Sequence, residues 1–300
     1  MRRLTVRHTT LYRYRRPVRF GEHRLMFRPR DSHDMRLVET WLGVEPKPAV
    51  RWQHDVFGNS IALLSFEAES DRLRLESGFV VEHYGLEEPE CPIEPFAQHL
   101  PFSYAAEEIP DLGRTIERHY PDPERRLDAW AKAFLPASGS GETWPLLVEM
   151  TAAIKQRFAY VERDEEGIQT PLRTLEQGQG TCRDFALLMM EAVRSLGLAA
   201  RFVTGYLYDP GIAQGVRGSG HTHAWVQIYL PGAGWVEFDP TNGIVGGNNL
   251  LRVAVARDPS QAIPIRGSYF GAAEDFLDLT VEVTVSGERD VPVNSGRGLV

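Results

Sequence analysis

From residue 142 onward the apolar residues of this chain change their period once, and that change limits the folds open to it. Leu146, Leu147, Met150, Ile154 and Phe158 recur at helical spacing, and Phe185, Leu188, Met189, Ala192, Val193 and Leu196 do so again. From Ala199 the period becomes 2. Arg201 to Tyr208, Ala224 to Leu230 and Trp235 to Phe238 read as strands, and Leu277, Leu279, Val281, Val283 and Val285 alternate with polar residues. Helices first and antiparallel strands afterwards specify an α+β domain, since an alternating α/β fold would interleave them.

The first third reads differently. From Met1 to Tyr84 short alternating stretches are separated by turn signals such as Asp55-Val56-Phe57-Gly58-Asn59, the pattern of a small antiparallel β domain. Seven of the first 19 residues are Arg and no acid precedes Glu22, a balance a transit peptide shares. A secretory signal is excluded because no apolar core follows the charges. Leu4, Val6 and His8 alternate with polar residues, which favours a half-buried strand. Residues 85–141 are rich in Pro and acids and read as a connector with one helix near Asp122 to Phe134, Pro123 in its first turn. The expected organisation is therefore a β domain over 1–84, a connector over 85–141, a catalytic domain over 142–286 and a loose tail over 287–300. Thr143 is the expected N-cap of the first catalytic-domain helix, with Pro145 in its first turn.

Charge and cysteine usage exclude several function classes. Lys+Arg 33 against Asp+Glu 41 leaves a net charge of −8, which disfavours a general nucleic-acid binder. No apolar run approaches the ~18 residues that span a bilayer. Two cysteines, Cys91 and Cys182, make no disulfide framework and suit a reducing compartment, so a cytoplasmic location is expected.

Cys182 lies where a Gly-rich loop, Gly178-Gln179-Gly180-Thr181, meets the start of an apolar helix that Gly197 ends. A helix N-terminus carries unpaired N–H groups and partial positive charge, both of which stabilise a thiolate or an oxyanion. Two readings stand at this point: a nucleophile, or a small core residue. Cys91, between Glu90 and Pro92, has no such setting and reads as structural or incidental.

A thiol nucleophile needs a base, and the base an orienting group. The stretch from Gly220 to Pro240 reads as a hairpin turning at Pro231-Gly232. If Tyr229 faces Ala233, His223 lies opposite Asp239 on the same face, within carboxylate–imidazole reach. A one-residue slip would part them. His221 shares the parity of His223, so a His-x-His zinc site with Asp239 is the metal alternative, short of ligands. A plain structural His–Asp pair is the other.

These residues resemble a family. Gly180-Thr181-Cys182-Arg183-Asp184-Phe185-Ala186 with Leu196 to Tyr206, then His223-Ala224-Trp225, then Phe238-Asp239-Pro240-Thr241-Asn242-Gly243 are similar, in that order, to the cysteine, histidine and aspartate motifs of the transglutaminase-like superfamily. The β-rich start resembles the N-terminal domain of its bacterial members. The resemblance implies a papain-like α+β core with Cys182 as nucleophile, His223 as base and acid, and Asp239 as orienter; His221 falls outside the match and reads as a flanking polar residue. It implies acyl transfer through a thioester on a peptide or isopeptide-type amide, with the Cys182 N–H in the oxyanion hole. Tyr160 stands where animal transglutaminases carry a Trp donor, and is the candidate second donor.

Hydrolysis is the leading expectation. The alternatives are transfer to an amine, a silent scaffold on the same fold, and metal-dependent hydrolysis. No cofactor is expected, and no acidic loop of the calcium-hand type occurs. Asp184 favours the helix dipole or touches substrate amines. Trp225 and Trp235 wall the cleft or pack. Gly211 to Gly220 reads as a flap or a plain surface loop.

Overall fold

The computed structural model describes residues 1–84, 91–162, 167–208 and 222–288, the side chain of Glu288 excepted. They fall into two compact units: the described residues of Met1–Gly85, Leu207–Ala213 and Pro264–Val300, and those of Leu86–Tyr206 and Gln214–Ile263. In chain order the main elements are strands β1 (Arg2–Phe20), β2 (Met35–Glu45) and β3 (Ser70–His83), then helices α1 (Thr143–Arg157) and α2 (Cys182–Ser195). Strands β4 (Ala200–Leu207), β5 (His223–Leu230), β6 (Gly234–Asp239), β7 (Leu250–Ala256) and β8 (Phe276–Glu288) follow.

The Arg-rich N-terminus is strand β1. Leu4, Val6, His8 and Thr10 are buried while Arg3 and Arg7 face solvent, as its alternation requires. β1 runs antiparallel to β3 on one side and to β8 on the other, with β2 beyond β3. A second sheet runs Ile265–Arg266, His23–Leu25, Ser60–Ser65, Ala49–His54. Tyr14, Val18, Phe20, Leu25, Leu64 and Leu73 form one core drawn from both sheets. The Asp55 to Asn59 turn forms as read: Asp55 Oδ1 accepts from the N–H of Phe57 at 2.9 Å and of Asn59 at 2.8 Å.

Two boundaries differ from expectation. The final strand, expected to close the catalytic domain at 286, instead pairs with β1 from Arg3 to Tyr14, and Gly287, expected in the tail, lies opposite Leu4. Alternation shows that a strand has one buried face but is silent about which sheet supplies it. The described residues of the stretch expected as a connector, 91–141, belong to the second unit. Tyr104 donates to the Tyr229 carbonyl at 3.0 Å and accepts from the Ala199 N–H at 2.8 Å, and Glu94 N–H donates to the Pro231 carbonyl at 2.9 Å. Its helix is shorter, Arg126–Lys132, with the Asp122 carboxylate accepting from the N–H groups of Arg126 and Asp128. Thr143 is the first helical residue, preceded by Glu142 at the cap, and its hydroxyl donates to the Ala97 carbonyl at 2.7 Å.

The second unit carries a five-stranded sheet in the order Ile244–Val245, β6, β5, β4, β7. α2 lies against β5 and is buried along almost its whole length. β7 was not anticipated; Leu250, Leu251, Val253 and Val255 are buried in it. No described helix is long and apolar enough to cross a membrane.

Candidate active site

Cys182 is delivered by a short parallel pairing. Ala159–Tyr160 runs beside Gln179–Gly180, so the chain enters α2 from a strand. Thr181 caps the helix and Cys182 is its first residue, 7% exposed. Asp184, fully buried, turns back on this entry. Its Oδ2 accepts from Thr181 N–H at 2.8 Å and Thr181 Oγ1 at 3.0 Å, and its Oδ1 accepts from Gln169 N–H at 2.7 Å. A Cβ on Gly180 would stand 2.8 Å from the Asp184 Cβ, which is why glycine leads into this turn. Asp184 thereby holds the helix end that carries Cys182.

His223 opens β5 and Asp239 closes β6, and both are completely buried. His223 Nε2 donates to Asp239 Oδ2 at 2.8 Å. The ladder between the strands pairs Tyr229 with Trp235 and Val226 with Phe238, two residues out from the expected Tyr229–Ala233 register. The longer turn keeps both residues on one face because a two-residue slip preserves parity. The pair therefore meets where the ladder ends rather than by direct opposition.

Burial disfavours charge on His223, yet the attraction of Asp239, its hydrogen bond and the nearby Cys182 outweigh that and push its pKa up to about 10. Burial likewise opposes charge on Asp239, and His223, Asn242 and the Thr241 N–H more than offset it, holding the carboxyl below its ordinary range. Nδ1, the ring nitrogen not used by Asp239, is buried and makes no hydrogen bond of ordinary geometry among the described residues. Cys182 interacts with this imidazole, and Nδ1 is the ring nitrogen that Asp239 does not engage.

Tyr160 is half-buried and pairs with Gly180, the residue two before Cys182. Trp225 is fully buried and stacks on His223, with ring centroids 5.9 Å apart and planes at 28°. Trp235 is elsewhere: Arg201 lies over its ring at 4.1 Å, and it packs with Tyr229 against Tyr104 and Leu112. Cys91 is half-buried, and burial pushes its thiol up. His221 and the Gly211 to Gly220 loop lie outside the described residues. Among those described, no group of three or more His, Cys, Asp or Glu is arranged to hold a metal ion.

Three supports went unread in the sequence. Asn242 donates through Nδ2 to Asp239 Oδ2 at 2.9 Å, and Thr241 N–H donates to Oδ1 at 2.9 Å; an Asp two and three residues ahead of such groups is an Asx-turn signal. Gly205, opposite His223 in β4, has no room for a side chain: a Cβ would stand 2.0 Å from the Leu251 carbonyl oxygen. A glycine inside a strand signals such close approach. Near the far end of α2, Glu191 and Arg194 form a buried ion pair at 2.7 Å, and Arg194 also donates to the carbonyls of Thr115, Ala200 and Arg257.

The model of the transglutaminase-like superfamily matches residues 137–240, a span that contains Cys182, His223 and Asp239. The model of the bacterial transglutaminase-like N-terminal region matches residues 4–82. The chain belongs to the transglutaminase-like superfamily. Among its relatives, the uncharacterized protein ML0607 of Mycobacterium leprae is 27% identical over 301 residues, covering 95% of this chain and 99% of that protein. The uncharacterized protein Rv2569c of Mycobacterium tuberculosis is 29% identical over 303 residues, covering 94% and 92%. Among solved structures, a candidate cysteine protease from Cytophaga hutchinsonii superposes with a TM-score of 0.71 at 18% identity, covering 97% of this chain and 93% of that one. That likeness shows the fold: a transglutaminase-like, papain-like α+β core behind a β-rich N-terminal region.

Proposed function

We propose that this transglutaminase-like protein is a cysteine-dependent acyl-transfer enzyme that cleaves peptide or isopeptide-type amides through a thioester. The observation that carries the reading is the buried imidazole of His223, anchored at 2.8 Å to Asp239 and interacting with Cys182 at a helix N-terminus. Asp239 holds the ring with Nε2 toward itself and favours the imidazolium, leaving Nδ1 for the thiol. Cys182 sulfur, having given its proton to His223, attacks the amide carbonyl carbon. The C–S bond forms as the carbonyl π pair moves to oxygen, where N–H groups at the start of α2 receive it. The C–N bond then breaks, and His223 returns the proton to the departing amine. In the second half, His223 takes a proton from water, the hydroxide displaces sulfur, and acid and free thiol result. An amine in place of water would give transfer rather than hydrolysis. Tyr160, beside the Cys182 loop, is the proposed second oxyanion donor. We place the enzyme in the cytoplasm, consistent with its two free cysteines.

Incubation with a library of glutamine- and lysine-containing peptides, read by intact mass, tests the reading. A Cys182-dependent acyl adduct that turns over in water supports hydrolysis, and its diversion to an added amine supports transfer. Absence of any adduct, with Cys182 no more reactive than a free thiol, would leave the scaffold reading in possession.

A further inference from the structure

The Asp239 carboxylate is fully buried, and among the described residues four donors reach it. Oδ1 accepts from the Thr241 N–H at 2.9 Å and the Asn242 N–H at 3.3 Å. Oδ2 accepts from His223 Nε2 at 2.8 Å and from Asn242 Nδ2 at 2.9 Å. The two backbone donors would be present with any residue except proline at 241 and 242, and they hold only one oxygen. They restrain the carboxylate through Oδ1 alone and place no donor on Oδ2. The Asn242 amide donates to the second oxygen and shares it with the imidazole.

We propose that Asn242 is a positioning residue for the catalytic pair. Its amide, on a residue only 8% exposed, adds a hold on Oδ2 and so keeps that oxygen aimed at His223. The turn itself does not need this amide, because the backbone donors close it on Oδ1. Its contribution falls on the anion: donation to Oδ2 favours the charged carboxylate, which in turn favours the imidazolium. The proposal rests on the reading of His223 and Asp239 as the working pair.

Iodoacetamide alkylation of Cys182 in the full chain, with Cys91→Ser removing the second thiol, reads the pair without a substrate. Rates are compared from about pH 5 to about pH 9 for the parent, His223→Ala, Asn242→Ala and Asn242→Asp, each checked for folding by near-UV circular dichroism. Asn242→Ala is expected to alkylate roughly tenfold more slowly near neutral pH, the worth of one hydrogen bond to a charged group. Asn242→Asp keeps the shape but cannot donate while ionised. Its rate relative to the parent should be lowest at neutral pH and climb as the pH falls and the new carboxyl takes up a proton. A merely structural role would give a ratio that does not depend on pH. If His223→Ala is slow while both Asn242 variants follow the parent profile, the positioning role is overturned and the catalytic reading survives. If His223→Ala also matches the parent, both fall together.

Discussion

His223 and Asp239 meet at 2.8 Å although neither stands opposite the other in the ladder that joins their strands. The last ladder pair is Val226 with Phe238, and the two side chains close over its end. One sits at the first residue of β5 and the other at the last residue of β6, where the strands hand over to loops. A site at a strand end keeps a rigid sheet behind it while leaving room for a third partner from α2.

The pair makes stability depend on pH in a definite direction. The folded-state pKa of His223 is raised to about 10, so its contribution is complete below the unfolded value of about 6.5 and is lost as the pH rises through about 10. Asp239 is shifted down, so its contribution is complete above about 3.9 and is lost on acidification below that. Asp239→Asn should cost about 3 kcal/mol near pH 6. The gap from wild type should narrow steadily toward pH 10. Urea midpoints at several pH values measure it; a gap that stays constant over that range would contradict the pairing.

Gly205→Ala places a methyl 2.0 Å from the Leu251 carbonyl oxygen and 2.8 Å from Trp225 Cη2. Strand backbone must move, at a cost of about 2 kcal/mol. Because Gly205 lies opposite His223, the variant should also slow Cys182 alkylation in the fraction that remains folded. Thermal melting and alkylation on one sample check both effects.

Glu191→Gln leaves Arg194 buried without its anion, and about 3 kcal/mol of stability should be lost. The ion pair lies toward the opposite end of α2 from Cys182, so alkylation of the folded protein should be unchanged. Loss of reactivity without loss of stability would reverse this assignment of roles.

Tyr160→Phe separates two steps of the proposed reaction. If the hydroxyl steadies the oxyanion, turnover of an amide substrate should fall by roughly 10²-fold while alkylation, which forms no oxyanion, keeps its rate. Equal turnover in the variant would remove Tyr160 from the oxyanion hole.

Much of this was legible in the chain because it is encoded locally. The change of period separated helices from strands, and the Gly-rich loop before an apolar helix put Cys182 at a helix start. Parity alone placed His223 and Asp239 on one face, and it survived an error of two residues in the turn because side chains on a strand repeat every second residue. The supports were harder to read. Asn242, Gly205 and Glu191 have their meaning only through the buried groups that the fold brings against them.

By itself the sequence determined the α+β class, the strand of the arginine-rich N-terminus and the residue types of the candidate site. Those depend on periodicity and on chemistry carried within a few residues. Only the tertiary structure decided that Phe276–Glu288 pairs with β1, that residues 91–141 belong to the second unit and that, among the described residues, four donors hold Asp239 at once. Strand partners and buried hydrogen bonds are chosen by which surfaces can be covered and which polar groups satisfied together, and no local pattern encodes that choice.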